Sequence, residues 1–321
     1  MGIDKDISIR ELVNFLNRLD RQNVIEAYRG SRASIDSVVQ EVFGHDSVKF
    51  EKLAERCRDS SRAMDTEVQN IMECMGQARA AALKAISKRE PDRIAQDQER
   101  YRTQGKLETE DLIGRRVLRS SEKDRQLWIS RILDRTKTML PGAIIRPCSH
   151  DWMFHMVSQD PLYLVDQRIA LITPVIHRYN ERYQRRLRPN LINEDLPGQM
   201  LKDLPDSQFN IIISWAFFNW KPLPLTLMYL GELAVKLRPG GRLMFTFNDC
   251  DHEHFVGLSD SGYMHYQPAR LLIAHAQSLG LEVTHQHRGE QDVAWLELQR
   301  LGKISTIRDG QNLAKIIEKS K

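Results

Sequence analysis

The chain has 321 residues, more than one domain usually holds, so two are expected. With 41% hydrophobic and 28% charged residues it is an ordinary globular chain able to bury a core. No apolar run approaches the roughly 18 residues that would cross a membrane, so no membrane association is expected. A formal net charge of +4 is too small, on this length, to imply nucleic-acid binding by itself.

Residues Met1 to Asp6 lack the apolar stretch of a signal peptide and the sixth-position Ser or Thr of a myristoylation motif. Cys57, Cys74, Cys148 and Cys250 are scattered and form no Cys-x-x-Cys pair. Neither a zinc ribbon nor a dithiol site is indicated, and reduced thiols in a cytoplasmic protein are the simplest reading.

The first third is helical in pattern. Over residues 8–28, Ile9, Leu12, Val13, Leu16, Leu19 and Val24 recur at three- and four-residue steps, and Ser8 with Glu11 makes a capping box. A longer pattern runs from Phe50 to Ile86. Met64, Val68, Ile71, Met75, Ala78, Ala82 and Ile86 form a seam within it, small and adaptable because it is rich in Met and Ala. This seam fits either an intramolecular bundle or a dimer contact. Residues 88–106 are densely charged with both signs, and Pro91 is expected to interrupt any helix there. Mixed acids and bases favour a solvated helix or linker over a nucleic-acid patch. Another helix is expected at about 122–140, with Leu127, Ile129, Ile132, Leu133 and Met139 available for burial. Residues 1–140 carry no catalytic motif and read as a helical scaffold or oligomerisation module.

From residue 141 the texture changes. Short apolar runs alternate with helical patterns: Ala143 to Ile145, Leu162 to Val165, Asn190 to Ile192, Phe209 to Ile213, Arg242 to Phe247, Leu281 to Thr284 and Ala294 to Leu298. That alternation predicts a mostly parallel sheet wrapped by helices, an α/β fold, with ligands beyond the carboxyl ends of the strands. Asp166 follows the second run, where its carboxylate would accept both hydroxyls of a ribose or cap the helix beginning near Arg168. Asn193, Glu194 and Asp195 follow the third, as an acceptor for an adenine amino group or as a solvated acidic turn. Ser214, Trp215, Phe217, Phe218, Asn219 and Trp220 follow the fourth; their aromatics would stack on a base or pack helices onto the sheet.

Leu237-Arg238-Pro239-Gly240-Gly241-Arg242-Leu243 and the strand after it resemble the hallmark of class I methyltransferases that use S-adenosylmethionine. A helix ends at Leu237-Arg238, Pro239 forbids its continuation, and the two glycines turn into the fifth strand. The resemblance covers about 141–300. It implies a Rossmann-like methyltransferase sheet at the C-terminus, preceded by an all-α module, with Asp166 as the ribose-binding acid. The wording of Tyr183 to Pro189, Ser214-Trp215 with Phe217 to Asn219, Phe245 to Asp249, Ala294 to Leu298 and Asp309 to Ala314 is similar to methyltransferase-like proteins of tailed phages, including those of cyanobacteria. This implies a location in the host cytoplasm or virion.

The cofactor loop departs from the family. Where an acidic residue and a glycine-rich turn would follow the first strand, this chain has Arg146-Pro147-Cys148-Ser149-His150-Asp151. An arginine stands where an acid would meet the cofactor's ammonium group, and a Cβ in a tight loop obstructs close approach. Asp151 is a candidate substitute for the acid. The cofactor-binding set implied by the resemblance is Arg146, Ser149, Asp151, Asp166, Glu194, Asp195, Ser214 and Trp215, with no catalytic residue assigned.

His252, His254 and His265 lie where a general base for oxygen methylation would sit. Asp251, His252 and His254 also invite a metal reading, but no second ligand group accompanies them and they read as surface histidines. The expected function is a phage-type methyltransferase dependent on S-adenosylmethionine. The alternative is an inactive methyltransferase fold serving as a virion or tail protein, oligomeric through its N-terminal helices. A nucleic-acid adaptor using Arg182, Arg185, Arg186 and Arg188 is the third reading, set below a solvated basic face.

Overall fold

The computed structural model of the chain describes residues 7–18, 47–104, 118–147 and 151–302. It divides into two compact units at Asp92/Arg93, upstream of the change in texture at 140/141.

In the first unit, α1 spans Ile9–Arg18. The Ser8 Oγ accepts the Glu11 N–H (3.2 Å) while the Ser8 N–H donates to the Glu11 carboxylate (2.7 Å), satisfying two of the free donors at a helix start. The continuation expected over 19–28 lies outside the described residues. Helix α2 spans Ser47–Gln104 and runs through Pro91, which the sequence marked as an interruption. Proline removes one hydrogen bond from a helix interior and crowds the preceding turn; the bonds on both sides of it carry the helix past that point. Along the seam Ala82 and Ile86 are buried, whereas Ile71 remains 40% exposed.

The second unit holds the end of α2, from Arg93, and the sheet. Helix α3, Glu122–Arg135, starts on a capping box between Ser121 and Asp124 and stops at Thr136, short of the expected 140. The strands are β1 Gly142–Ile145, β2 Leu162–Asp166, β3 Leu187–Leu191, β4 Phe209–Ser214, β5 Leu237–Phe247, β6 Leu281–Arg288 and β7 Ala294–Arg300. They form one seven-stranded sheet in the order β3-β2-β1-β4-β5-β7-β6. Neighbours from β3 to β5 pair in parallel, and β7 runs antiparallel to both β5 and β6. The fold is a Rossmann-like α/β sheet preceded by a helical region. Helices α4 (Ile169–His177), α5 (Glu181–Gln184), α6 (Leu223–Lys236), α7 (Glu253–Asp260) and α8 (Ala269–Ser278) connect its strands.

Alternation along the strands makes two cores. Ala143, Ile145 and Ile212 join Phe217, Tyr229 and Leu230 in one. Ile144, Ile211 and Ile213 join Trp128 and Ile132 of α3 in the other. Each such apolar side chain contributes about 1.5–3 kcal/mol when fully removed from water. Helix α3, grouped with the N-terminal helices on sequence, thus buries its apolar face in the same core as the sheet. The Pro-Gly-Gly turn lies inside the first part of β5, where Gly240 adopts φ 76°. A Cβ on Gly241 would collide with the Phe209 carbonyl oxygen, so only glycine lets β5 close on β4 here.

Candidate functional site

Strand order reverses between β1 and β4, and in open α/β sheets the crevice beyond the strand ends at that point receives ligands. Ile145, the last residue of β1, lies in register with Val165 on one side and Ser214 on the other. Arg146 therefore emerges between Asp166 and the loop after β4. Its backbone is left-handed (φ 58°) and its N–H donates to the Val165 carbonyl at 2.8 Å. Left-handed φ is sparsely populated by residues with a Cβ and is where a glycine would serve without strain.

The Arg146 side chain turns inward and is only 4% exposed. Its Nη1 donates to the Ala216 carbonyl (3.3 Å), and its Cζ lies 5.1 Å from the Phe217 ring centroid, a cation–π distance. Ala216 is itself left-handed (φ 57°), and its N–H donates to Thr246 Oγ1 (2.7 Å). Thr246 in turn donates to Asn219 Oδ1 (2.8 Å). Gln267 Nε2 donates to the Phe218 carbonyl (2.7 Å) and to Thr226 Oγ1 (2.9 Å). The loop after β4 is thus pinned by buried side chains that a rigid site requires.

Asp166 is fully buried. One carboxylate oxygen accepts the Gln167 N–H (2.7 Å), just ahead of α4, whose N-cap residue Arg168 makes no side-chain capping bond. The other, Oδ2, has no hydrogen-bond partner. Burial pushes this carboxyl above its ordinary range, opposed by the charge of Arg146. The capping reading of Asp166 is not met, because Arg168 stands at the cap position of α4 and the Asp166 bond goes to Gln167 ahead of it; its second oxygen is left over. Ser214 is also fully buried, with Oγ lacking a partner.

Glu194 is committed elsewhere. Tyr229 donates to it at 2.6 Å, Tyr101 at 2.8 Å, and Lys221 Nζ lies 2.8 Å away. Burial pushes the Glu194 carboxyl up, but the Lys221 charge and these hydrogen bonds outweigh it and hold it below its ordinary range. Lys221 is only 2% exposed, donates to the Tyr101 hydroxyl (2.7 Å) and stands over the Tyr101 and Phe217 rings. Asp195 is exposed, its N–H on Asn193 Oδ1 (3.0 Å). Trp215 points into the second core, with ring centroids 4.9 Å from Trp152 and 5.1 Å from Trp128. Phe217 and Phe218 pack edge-to-face on Tyr229. Ser149 lies outside the described residues, and Asp151 begins the short 3₁₀ turn Asp151–Met156.

Three histidines separate in role. His252 caps α7, and His254 Nε2 lies 3.0 Å from Asp292. His265, by contrast, is buried with Nδ1 2.7 Å from Asp97 Oδ2, while Arg100 Nη2 holds Asp97 Oδ1 at 2.6 Å. Burial pushes the Asp97 carboxyl up, but His265 and Arg100 outweigh it and hold it below its ordinary range. The stretch 93–104, expected to be solvated, therefore carries an interior face: Asp97, Arg100 and Tyr101 all turn toward the sheet's strand ends. Among the described residues no group of three or more His, Cys, Asp or Glu could hold a metal ion.

No protein-family model matches the chain, and no curated protein matches it. Solved structures do resemble it in chain path. One is geranyl diphosphate C-methyltransferase from Streptomyces coelicolor A3(2) with magnesium, geranyl diphosphate and S-adenosyl-L-homocysteine: TM-score 0.44, 9% identity, covering 56% of this chain and 81% of that one. Another is an O-methyltransferase family protein from Burkholderia thailandensis: TM-score 0.43, 10% identity, 55% of this chain and 56% of that one. A third is a possible exported protein from Bordetella parapertussis: TM-score 0.43, 10% identity, 57% and 69%. Likeness at this level says nothing about chemistry, which has to come from the residues.

Those residues fit S-adenosylmethionine poorly. The cofactor brings a sulfonium, an ammonium and one carboxylate, whereas the strand ends already hold two buried cations, Arg146 and Lys221, the latter paired with Glu194. Among the described residues at these strand ends, Asp166 Oδ2 and Ser214 Oγ are buried without a hydrogen-bond partner.

Proposed function

We propose that this chain is a methyltransferase-type, Rossmann-like domain that does not turn over S-adenosylmethionine and that works as a structural assembly protein through its N-terminal helices. The observation that supports this reading is the state of the acids at the strand ends. The charge of Arg146 acts on the buried Asp166 carboxyl, and Glu194 is bound by Lys221, Tyr101 and Tyr229. Each acid that a ribose or an adenine amino group would call on is thus already opposed or bound by a cation of the chain itself. The resemblance to methyltransferase-like proteins of tailed phages makes a virion or tail the setting of the proposal, with the host cytoplasm before assembly.

Calorimetric titration of the full chain with S-adenosylmethionine and S-adenosylhomocysteine tests the first half. No binding heat is expected up to millimolar ligand, and Asp166→Ala is expected to behave alike. Micromolar binding that Asp166→Ala abolishes would overturn the proposal, since it amounts to about 8 kcal/mol of real recognition. That outcome would favour a second reading, an active enzyme. The observation behind this second reading is the buried Asp97–His265 pair, a carboxylate fixing an imidazole beside the loop after β4, as a general base requires.

Sedimentation tests the second half. Val68, Ile71 and Met75 keep the three- and four-residue spacing of a helical seam, and Ile71 is 40% exposed. The full chain is expected to sediment as an oligomer, and Val68→Glu with Ile71→Glu to release monomers. A wild-type chain that is monomeric at micromolar concentration would remove the assembly role.

A further inference from the structure

Arg146 stands at the one place on the sheet where a ligand of this fold would enter, and it stands there folded inward. Its guanidinium rests on the Ala216 carbonyl and the Phe217 ring, and its backbone follows Ile145, the register partner of Val165, next to Asp166 in the sheet. That seat is rigid, because Ala216 is tied through Thr246 to Asn219. On the near side, the Arg146 N–H is tied to Val165. The result is an acid at the end of β2 with no exposure and one oxygen unpartnered. A cation is thus supplied to the crevice from the chain itself, by a residue whose left-handed backbone a glycine would adopt more readily.

We infer that Arg146 is the residue that excludes a sulfonium nucleoside from these strand ends, its buried guanidinium taking the charge position such a ligand would need. The inference rests on the non-catalytic reading above and adds to it: of the two buried cations, Arg146 is the one whose removal admits the ligand. Shortening that side chain makes room at the end of β1, next to Asp166 in the sheet, and removes the positive charge opposing it.

The test is calorimetric titration of the full chain with S-adenosylmethionine and S-adenosylhomocysteine, in wild type, Arg146→Gly, Arg146→Asn and Arg146→Lys. Glycine and asparagine both tolerate the left-handed backbone, so the opening is made without adding strain. Arg146→Gly and Arg146→Asn are expected to gain at least about tenfold in affinity over wild type. Adding Asp166→Ala to either is expected to remove the gain, and Arg146→Lys, which keeps the charge, is expected to stay with wild type. Tight binding by wild type would refute the non-catalytic reading and the inference together. Absence of binding in wild type and in folded Arg146→Gly and Arg146→Asn would refute the inference and leave that reading standing. Loss of cooperative unfolding in both variants would also overturn it, by making Arg146 a strut of the fold and not a removable occupant.

Discussion

Replacing Glu297 by alanine is expected to lower the melting temperature of the sheet unit by about 6–12 °C. Glu297 lies on β7 and is fully buried. Arg131 Nε of α3 donates to it at 2.6 Å, Arg135 Nε at 3.0 Å, and Arg242 Nη1 of β5 at 2.5 Å. Arg242 also donates to Thr284 of β6 at 2.8 Å. One carboxylate therefore fastens α3 across three adjacent strands. Removing one partner of a buried pair costs about 3–5 kcal/mol, because the other charge is left without compensation. The arginine side chains retain 18–28% exposure and find some water, so the lower end, about 3 kcal/mol, is used. In a unit of this size each kcal/mol shifts the melting temperature by about 2–4 °C.

The same site fixes a pH dependence. Burial pushes the Glu297 carboxyl up, but the hydrogen bonds and charges of Arg131 and Arg135 outweigh it and hold it below its ordinary range. A carboxyl depressed in the folded state stabilises at pH above its unfolded value, about 4.3, and loses that contribution as pH falls through the folded value. Glu297→Gln is expected to melt below wild type at neutral pH and to converge with it in acid. Thermal melts of the three proteins at several pH values check both statements. An alanine variant melting within about 2 °C of wild type would show that the pairing merely offsets its own desolvation.

Where burial decides secondary structure, the sequence was readable. β1 and β2 are near-continuous apolar runs, and β4 is one broken only by Asn210, because helices cover both faces of the sheet; each appears where its run stands. β3 was misplaced: the apolar cue sat at Asn190 to Ile192, but the strand is Leu187–Leu191 and contains Arg188 and Pro189. An edge strand tolerates a proline because one side of it needs no donor. The polar second half of β6, His285 to Arg288, was invisible for a related reason, since an edge strand has no second strand to bury it.

The crevice was partly legible. Asp166 could be picked out by its place after a strand, but whether Arg146 faced outward or inward depends on φ and on Ala216, a residue 70 positions away. Lys221 was missed although a signal existed: it is the one charged residue between Asp206 and Glu232. A lysine so isolated in apolar sequence is either at a surface or bound to a buried acid, and here the acid is Glu194. In 88–106 the mixed charges hid an interior stripe. Asp97, Arg100 and Tyr101 sit at three- and four-residue spacing on one helical face, and Tyr101 is the only aromatic in that stretch.

Trp128→Ala is expected to cost about 3–5 kcal/mol, the usual range for emptying a large aromatic site, or about 6–20 °C in melting temperature. Trp128 is fully buried, with ring centroids 5.1 Å from Trp215, 5.4 Å from Trp295 and 6.3 Å from Trp152. It is the hub through which α3 grips both the loop after β4 and strand β7. Two opposing effects separate alanine from phenylalanine. The Trp128 Nε1 is buried without a hydrogen-bond partner, a state that costs about 1–3 kcal/mol, and Trp128→Phe removes that donor while keeping most of the ring contacts. The phenylalanine variant is therefore expected to melt much closer to wild type than the alanine variant. Equal losses in the two would show that the indole N–H matters more than the packing, contrary to its unpartnered geometry. The position also ties the core to the crevice. Trp215 precedes Ala216, whose carbonyl seats Arg146, so a cavity at Trp128 loosens the support of that seat from behind.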